Sequence, residues 1–118
     1  MGQLFNGEWH IKPIKTEEKD GKFRRKESSF RNWVKADGST PHAPESGRYH
    51  LYVSYACPWA HRTLIFRKLK GLEEHISVSV VNPLMYDYGW PFDESFPGST
   101  VDHINGKDYL YEVYVAAD

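Results

Sequence analysis

Hydrophobic and polar residues alternate along two short stretches of the chain, the pattern of a β-strand with one buried face. The first stretch is YHLYVSY, residues 49–55, which is rich in aromatic and β-branched side chains. The second is ISVSVV, residues 76–81, where Ser77 and Ser79 indicate that one face of the strand is wetter than the other. The alternation therefore predicts two strands, joined by the segment between them.

The joining segment changes to the spacing of an amphipathic helix. In PWAHRTLIFRKLKG, residues 58–71, and just beyond it, apolar side chains recur at Ala60, Leu64, Ile65, Leu69 and Leu72. Pro58 suits the first helical position, where its missing N–H costs nothing, and Gly71 suits the position after the last turn. Strand, helix and strand in this order predict a parallel βαβ unit with a right-handed crossover.

The rest of the chain carries weaker patterns. Residues 1–48 are polar, with scattered aromatics, glycines and prolines, and we interpret them as an N-terminal extension to a domain that begins at residue 49 and runs to residue 118. A long irregular stretch follows the second strand, and its large aromatics favour an ordered loop: Tyr86, Tyr88, Trp90, Phe92 and Phe96. DYLYEVYVAAD, residues 108–118, predicts the start of a helix with Asp108 as its N-cap.

Composition narrows the class of protein further. The chain has 118 residues, of which 40% are hydrophobic and 26% charged, as in an ordinary globular domain. A net charge of −1 gives no indication of a nucleic-acid or membrane partner. No apolar run approaches the roughly 20 residues that span a bilayer, and the first residues lack the apolar core of a signal peptide. One cysteine cannot form an internal disulfide, so we expect a reducing, cytoplasmic location.

The single cysteine, Cys57, lies between the end of the first strand and the start of the helix. Ligands of open α/β sheets bind at this carboxyl edge. The first N–H groups of a helix have no partner within it, and the helix dipole adds positive potential, so a thiolate is stabilised there. His61 and Arg62, one turn further on, add positive charge. The position favours a nucleophilic Cys57, with a buried apolar cysteine as the alternative.

The sequence lacks the residues that several other reactions require. A redox dithiol of the C-x-x-C type needs a cysteine at position 60, where Ala60 stands, so the second thiol of any disulfide exchange must come from another molecule; glutathione is the abundant cytosolic candidate. The six histidines show no close ligand spacing, and we predict no metal site. The G-x-S-x-G elbow of a hydrolase and a phosphate-binding glycine loop are also missing.

The run GRYHLYVSYACPWAHRTLIFRKLKGLE, residues 47–73, resembles the glutathionyl-hydroquinone reductases, also called Xi-class glutathione transferases. The segment GWPFDESFPGSTVD, residues 89–102, is similar to the same family. So is the N-terminal pattern of Phe23, Arg25, Lys26, Ser28, Phe30, Arg31, Trp33 and Val34. The resemblance covers essentially the whole chain. It implies an α/β, thioredoxin-like fold, that of the glutathione transferase N-terminal domain, preceded by an N-terminal extension.

The resemblance also implies a reaction. Cys57 attacks the sulfur of a glutathionyl-hydroquinone, the hydroquinone leaves, and Cys57 carries glutathione as a mixed disulfide that a second glutathione resolves. Trp90 matches the family's tryptophan that lies against bound glutathione, although a tryptophan in this loop also suits a core anchor. Glutathione is thus the co-substrate, aromatic hydroquinone conjugates are the substrates, no metal takes part, and the full-length protein is a homodimer.

Members of the family are considerably longer than this chain. The family's cis-proline, its Glu–Ser pair for the glutamyl end of glutathione and its helical C-terminal domain lie beyond the matching stretch. We therefore expect an N-terminal portion with an incomplete thioredoxin-like domain, less than fully active alone. Two alternatives stay open: a non-catalytic, glutathione-transferase-like binding module, and a glutaredoxin-like deglutathionylating protein.

Overall fold

The computed structural model describes residues 2–12, 21 and 27–117. The chain divides into two compact units, one of Met1–Ile14 with Ser46–Asp118 and the other of Lys15–Glu45. The described residues of the first unit form, in chain order, β1 (Gln3–Phe5), β2 (Glu8–His10), β3 (His50–Val53), α1 (Pro58–Leu69), β4 (Ser77–Val80) and α2 (Leu110–Ala117). The predicted boundary between residues 48 and 49 stays a prediction.

The predicted βαβ unit is confirmed. β3 and β4 pair in parallel, from His50 opposite Ser77 to Val53 opposite Val80, and α1 connects them. The pairing continues one step further because the Val81 N–H donates to the Val53 carbonyl at 2.9 Å. Since both strands end at the same edge, the segments that follow Val53 and Val81 leave the sheet side by side.

The two faces of this sheet differ in chemistry because side chains alternate along each strand. Val53 and Val80 lie opposite each other on one face and are 2% and 4% exposed. The opposite face carries polar side chains, including Ser79, which is fully buried. The wetter face that the serines of ISVSVV indicated is exposed at Ser77 and buried at Ser79.

The ends of α1 follow from single residues. Pro58 occupies the first turn, as predicted. At the other end Gly71 takes a φ of +65°, which costs a glycine little, and two backbone bonds close the helix: Gly71 N–H to the Lys68 carbonyl at 3.1 Å and Leu72 N–H to the Arg67 carbonyl at 2.9 Å. This is the Schellman arrangement, and it turns the chain back toward β4.

The predicted second helix is present, but Asp108 is not its N-cap. α2 begins at Leu110, and the Glu112 carboxylate accepts a hydrogen bond from the Tyr109 N–H at 3.1 Å. A glutamate at the third helical position that reaches back in this way marks Tyr109 as the cap. Asp108 is instead engaged through its carbonyl, which accepts the Phe92 N–H at 2.8 Å in the loop before the helix.

An N-terminal hairpin is present that the sequence pattern did not predict. β1 and β2 pair antiparallel, with Leu4 opposite Trp9. Asn6 and Gly7 form the connection with φ values of +50° and +77°, the conformation of a type I′ turn. The hairpin belongs to the same compact unit as the βαβ element.

The second unit holds a closed loop in its described part. The Lys35 N–H donates to the His42 carbonyl at 3.0 Å, and the Thr40 hydroxyl donates to the Trp33 carbonyl at 2.6 Å. At the tip, the hydroxyl and N–H of Ser39 both donate to the Asp37 carboxylate and lower the pKa of that group. Within the described ranges of the whole chain, no helix is long and apolar enough to cross a membrane.

Candidate active site

The turn that leads from β3 into α1 is built on a buried serine. Ser54 is 2% exposed; its hydroxyl oxygen accepts the Ala56 N–H at 3.2 Å, and its carbonyl accepts the Cys57 N–H at 3.1 Å. These two bonds fix the backbone of residues 54–57 before the helix begins. The position of Cys57 is therefore set by the strand end and this turn.

Cys57 is the N-cap of α1, with extended backbone angles of φ −93° and ψ 116°. Its carbonyl accepts the His61 N–H at 3.1 Å, the first bond of the helical ladder. The side chain is partly exposed and makes no capping hydrogen bond. Pro58 offers no N–H, so the donors left open at this helix end are those of the next positions. The predicted place of the thiol at the helix start is confirmed, and its role as nucleophile stays a prediction.

The side chains of His61 and Arg62 are not bonded to the cysteine side chain. Both are exposed on the first turns of α1, and in the described part of the chain neither side chain makes a hydrogen bond or ion pair with the Cys57 thiol. Any influence on the thiol is therefore the long-range field of an exposed charge, which salt screens.

Trp90 follows a tight turn in the loop after β4. Tyr86 and Gly89 exchange backbone bonds, Tyr86 N–H to the Gly89 carbonyl at 3.3 Å and Gly89 N–H to the Tyr86 carbonyl at 3.0 Å. On the other side the Trp90 carbonyl accepts the Leu110 N–H at 3.0 Å at the start of α2. The indole Nε1 of Trp90 is buried and finds no hydrogen-bond acceptor among the residues that the structure describes. A buried donor without a partner is uncommon in proteins, so the Trp90 Nε1–H lacks an acceptor that its surroundings would normally supply.

Cys57 and Trp90 sit on segments that leave the same edge of the sheet, but they do not touch through any hydrogen bond in the described part of the chain. A third segment also reaches this edge. Tyr55 lies over Gly98, where an added Cβ would come within 3.2 Å of the tyrosine ring. The Thr100 N–H donates to the Val80 carbonyl at 2.7 Å, which ties that segment to the end of β4.

The polar face of the sheet holds a hydrogen-bond network that sequence reasoning missed. His50 contacts two hydroxyls, Ser77 Oγ through Nδ1 at 2.6 Å and Ser79 Oγ through Nε2 at 2.7 Å. Ser79 Oγ also contacts His103 Nδ1 at 2.9 Å and accepts the His103 N–H at 3.2 Å. The alternation of serines in β4 was the one signal of this network in the sequence.

Ser79 limits how many protons this network can hold. Its hydroxyl has one hydrogen to donate and two lone pairs, one of which the His103 N–H already uses. Of the two ring nitrogens that face it, one donates and the other accepts. The geometry therefore excludes protonation of His50 Nε2 and His103 Nδ1 together.

A buried carboxylate closes the same face. Asp102 is 5% exposed, and its Oδ1 accepts the Tyr52 hydroxyl at 2.8 Å. Three N–H groups of the following loop also donate to the carboxylate: Ile104 at 3.0 Å, Asn105 at 3.0 Å and Lys107 at 3.1 Å. Burial alone raises the pKa of Asp102, but these hydrogen bonds outweigh it and leave the pKa below its ordinary value. Burial and the bond to this carboxylate raise the pKa of Tyr52 to about 12.

We expect the stability of the protein to fall as the pH drops below neutral, because of His50. Burial and the neighbouring His103 lower the pKa of His50, and they outweigh the opposing charge of Asp102; Tyr52 packs on the same ring at 4.8 Å. With the folded-state pKa below the unfolded value of about 6.5, the unfolded chain binds more protons. The stabilisation is thus complete above that value and is lost as the pH falls toward the lower, folded-state pKa.

Urea denaturation between pH 5 and pH 8 measures this effect. His50→Asn should flatten the dependence of the free energy of unfolding on pH, whereas His61→Gln, at an exposed histidine on α1, should leave the slope unchanged. Equal slopes for the parent and the His50 variant would contradict the assignment.

Groups that could hold a metal ion were not found in the described ranges, where no cluster of three histidine, cysteine or carboxylate side chains occurs. The absence of a metal from the reaction stays a prediction.

Known families and proteins match the chain over these same elements. Residues 56–101 match the family described as glutathione S-transferase, N-terminal domain. The glutathionyl-hydroquinone reductase YqjG of Escherichia coli is 56% identical over 124 aligned residues, which cover 100% of this chain and 38% of YqjG. The glutathionyl-hydroquinone reductase PcpF of Sphingobium chlorophenolicum is 52% identical, over 100% of this chain and 36% of PcpF.

Solved structures match as well. The Xi-class glutathione transferase of Natrialba magadii has a TM-score of 0.82 and 51% identity, over 98% of this chain and 33% of that protein. The glutathione-bound structure of YqjG has a TM-score of 0.71 and 60% identity, over 75% of this chain and 31% of YqjG.

These matches settle the fold as the thioredoxin-like N-terminal domain of a glutathione transferase, of which the chain holds a small α/β part. The chain spans little more than a third of the length of the two curated relatives. Its identity to them runs along the whole of its own length. Over its whole length the chain is similar to the N-terminal part of the Xi-class glutathione transferases, the family of the glutathionyl-hydroquinone reductases.

Proposed function

We propose that this chain supplies the nucleophile and part of the glutathione site of a glutathionyl-hydroquinone reductase. The observation that carries the proposal is the place of Cys57: a partly exposed thiol at the N-cap of α1, directly beyond the carboxyl end of β3. The relatives named for this activity and the glutathione-bound structure of YqjG support glutathione as the co-substrate.

The reaction requires two exchanges at sulfur. The Cys57 thiolate attacks the sulfur of the glutathionyl-hydroquinone, so that a sulfur–sulfur bond forms and the bond from sulfur to the ring carbon breaks. The ring carbon takes up a proton, and hydroquinone is released. The thiolate of a second glutathione then attacks the mixed disulfide, which releases oxidised glutathione and restores Cys57. One conjugate and one glutathione thus give one hydroquinone and one glutathione disulfide.

The chain's own residues would hold Cys57 for both steps. The open N–H groups and the positive end of the helix dipole lie at the start of α1, where Cys57 is the N-cap. The Ser54 turn holds the residue before the helix, so the sulfur does not have to be repositioned between the two exchanges. Both effects act on the attacking and on the leaving sulfur.

Trp90 would contact the bound glutathione. Its buried, unpartnered Nε1–H suits an acceptor, and the tripeptide offers carboxylates and amide carbonyls. On the same loop, exposed aromatic rings favour a flat aromatic substrate: Tyr86, Tyr88 and Phe96 are 61%, 45% and 41% exposed. The homodimer, the cytoplasmic location and the absence of a metal remain predictions from the sequence.

A single-turnover experiment tests the proposal. The protein is mixed with a glutathionyl-hydroquinone in the absence of free glutathione, and the products are followed by mass spectrometry and absorbance. We expect one equivalent of hydroquinone to be released while one glutathionyl group appears on the peptide that contains Cys57. Added glutathione should then remove that group as oxidised glutathione.

The other outcomes separate the alternatives. Hydroquinone release that persists in Cys57→Ala would refute the mixed-disulfide route. An adduct formed from a glutathionylated peptide disulfide, but not from the thioether, would assign the chain to a glutaredoxin-like activity instead. If neither substrate modifies Cys57, the chain is a binding module without this chemistry.

A further inference from the structure

The N-terminal hairpin contacts the loop that carries Trp90 through one side chain, Trp9. The Nε1–H of Trp9 in β2 donates to the Asp87 carbonyl at 2.7 Å, a bond between residues 78 positions apart. Asp87 is a central residue of the tight turn between Tyr86 and Gly89. The hydrogen bond therefore ties the hairpin to that turn rather than to the sheet.

The Trp9 ring also lies directly against the backbone of this turn. An added Cβ at Gly89 would come within 3.0 Å of Cη2 and 3.3 Å of Cζ2 of the indole. Gly89 is buried, with a φ of +79°. Glycine is thus required there twice, once by the backbone conformation and once by the close approach of the ring. Trp9 also stacks on Tyr111 of α2, with ring centroids 5.1 Å apart.

These contacts enclose the segment that presents Trp90. On one side Trp90 follows Gly89, which Trp9 covers; on the other, its carbonyl accepts the Leu110 N–H. Tyr111, the next residue of α2, is the one on which Trp9 stacks. One indole therefore braces both flanks of Trp90 without being a neighbour of Trp90 in the chain.

We propose that Trp9 is a positioning residue: it fixes the Tyr86–Gly89 turn and the start of α2, and so holds Trp90 in place for glutathione. The inference rests on the proposed function, because it needs Trp90 to contact glutathione. Cys57 lies on a different segment, at the end of β3, and is not held by these contacts. Loss of the brace should therefore weaken binding of glutathione more than it slows the exchange at sulfur.

Trp9→Phe tests this in the whole protein. It removes the hydrogen bond to the Asp87 carbonyl and keeps an aromatic ring. We expect KM for glutathione, and its dissociation constant measured by titration calorimetry with reduced glutathione, to rise about threefold to tenfold, with kcat within about twofold. Phe5→Leu is the matched control, because it alters an exposed ring of the same hairpin; it should leave both constants unchanged.

Gly89→Ala changes the same contact without altering Trp9, so it tests the inference even if Trp9→Phe folds poorly. Gly89→Ala should weaken glutathione binding in the same way, because its Cβ meets the Trp9 ring, and the two changes together should add up to less than their sum. Full additivity, equal effects of Trp9→Phe and Phe5→Leu, or a fall in kcat with an unchanged KM would each overturn the inference.

Trp90→Phe separates failure of this inference from failure of the proposed function. If Trp90→Phe weakens glutathione binding but Trp9→Phe does not, the brace is wrong and the proposed site stands. If the parent protein does not bind glutathione at all, the proposed function fails and the inference fails with it.

Discussion

Cys57→Ser is expected to lower kcat/KM for a glutathionyl-hydroquinone by at least about a thousandfold. Serine has nearly the same shape and keeps the backbone of the N-cap, so the turn at Ser54 and the start of α1 should be intact. Its hydroxyl is not ionised near neutral pH and forms no stable bond to the glutathione sulfur, whereas the thiolate is the attacking species in thiol exchange. The loss should therefore lie in kcat, with the dissociation constant of glutathione nearly unchanged.

Steady-state kinetics and glutathione titration of the same samples measure the two quantities. Arg62→Gln is the control for general electrostatics, because Arg62 is exposed and makes no hydrogen bond with the thiol in the described part of the chain; it should reduce kcat/KM by less than about tenfold. Activity of Cys57→Ser within tenfold of the parent would exclude Cys57 as the nucleophile. An equally large loss of kcat/KM in Arg62→Gln would mean that surface charge, rather than the thiol, accounts for most of the activity.

Local signals in the sequence were sufficient for the elements that position Cys57. The alternation of YHLYVSY and ISVSVV, and the helical spacing between them, correspond to β3, β4 and α1. These signals are reliable because each is contained in a single run whose apolar side chains share one face. Pro58 and Gly71 then fixed the ends of α1 for reasons of backbone conformation alone.

One feature of the sequence does indicate the N-terminal hairpin, although the alternation of hydrophobic and polar residues does not show it. Its strands are three residues each, too short for a periodic pattern, but Asn6–Gly7 between them is the strongest short-range indication of a type I′ hairpin turn. The hairpin also brings the Trp9 Nε1–H to the Asp87 carbonyl. This hydrogen bond joins residues 78 positions apart and depends on how the hairpin packs in three dimensions. No local pattern reports such a contact.

The start of α2 shows how a single side chain shifts a boundary. Asp108 is the better N-cap residue by propensity, yet Glu112 reaches the Tyr109 N–H, and only a cap at Tyr109 places a glutamate at the third helical position. The capping-box spacing was present in the sequence and outweighs the preference of the isolated aspartate.

The polar face of the sheet was the hardest feature to predict. A sequence pattern with serine and histidine on one strand face normally indicates exposure to solvent, as is found at Ser77, but Ser79 on the same face is buried. Burial of Ser79 and Asp102 depends on the loop after β4. Its backbone geometry, not its composition, supplies the donors that make a buried carboxylate tolerable.

Asp102→Ala is expected to lower the free energy of unfolding by about 3 to 5 kcal/mol, the largest effect on stability that we predict. The substitution leaves the three N–H groups of residues 104, 105 and 107 and the Tyr52 hydroxyl without their acceptor. Each buried polar group that loses its partner costs about 1 to 3 kcal/mol, reduced where water can enter the site. Asp102→Asn keeps an acceptor for the groups on Oδ1 but turns a donor toward the Lys107 N–H, so it should cost about half as much.

Urea denaturation at neutral pH measures these differences, and Asp93→Ala is the matched control. Asp93 forms the same kind of loop, accepting the N–H and the hydroxyl of Ser95 at 2.9 Å each, but it is exposed to solvent. Water can replace the two bonds to Ser95, so the loss of Asp93 should cost much less than the loss of Asp102. Equal costs for the two alanine variants would mean that burial adds nothing at Asp102, and the carboxylate would then be an ordinary turn residue rather than the anchor of the loop on the sheet.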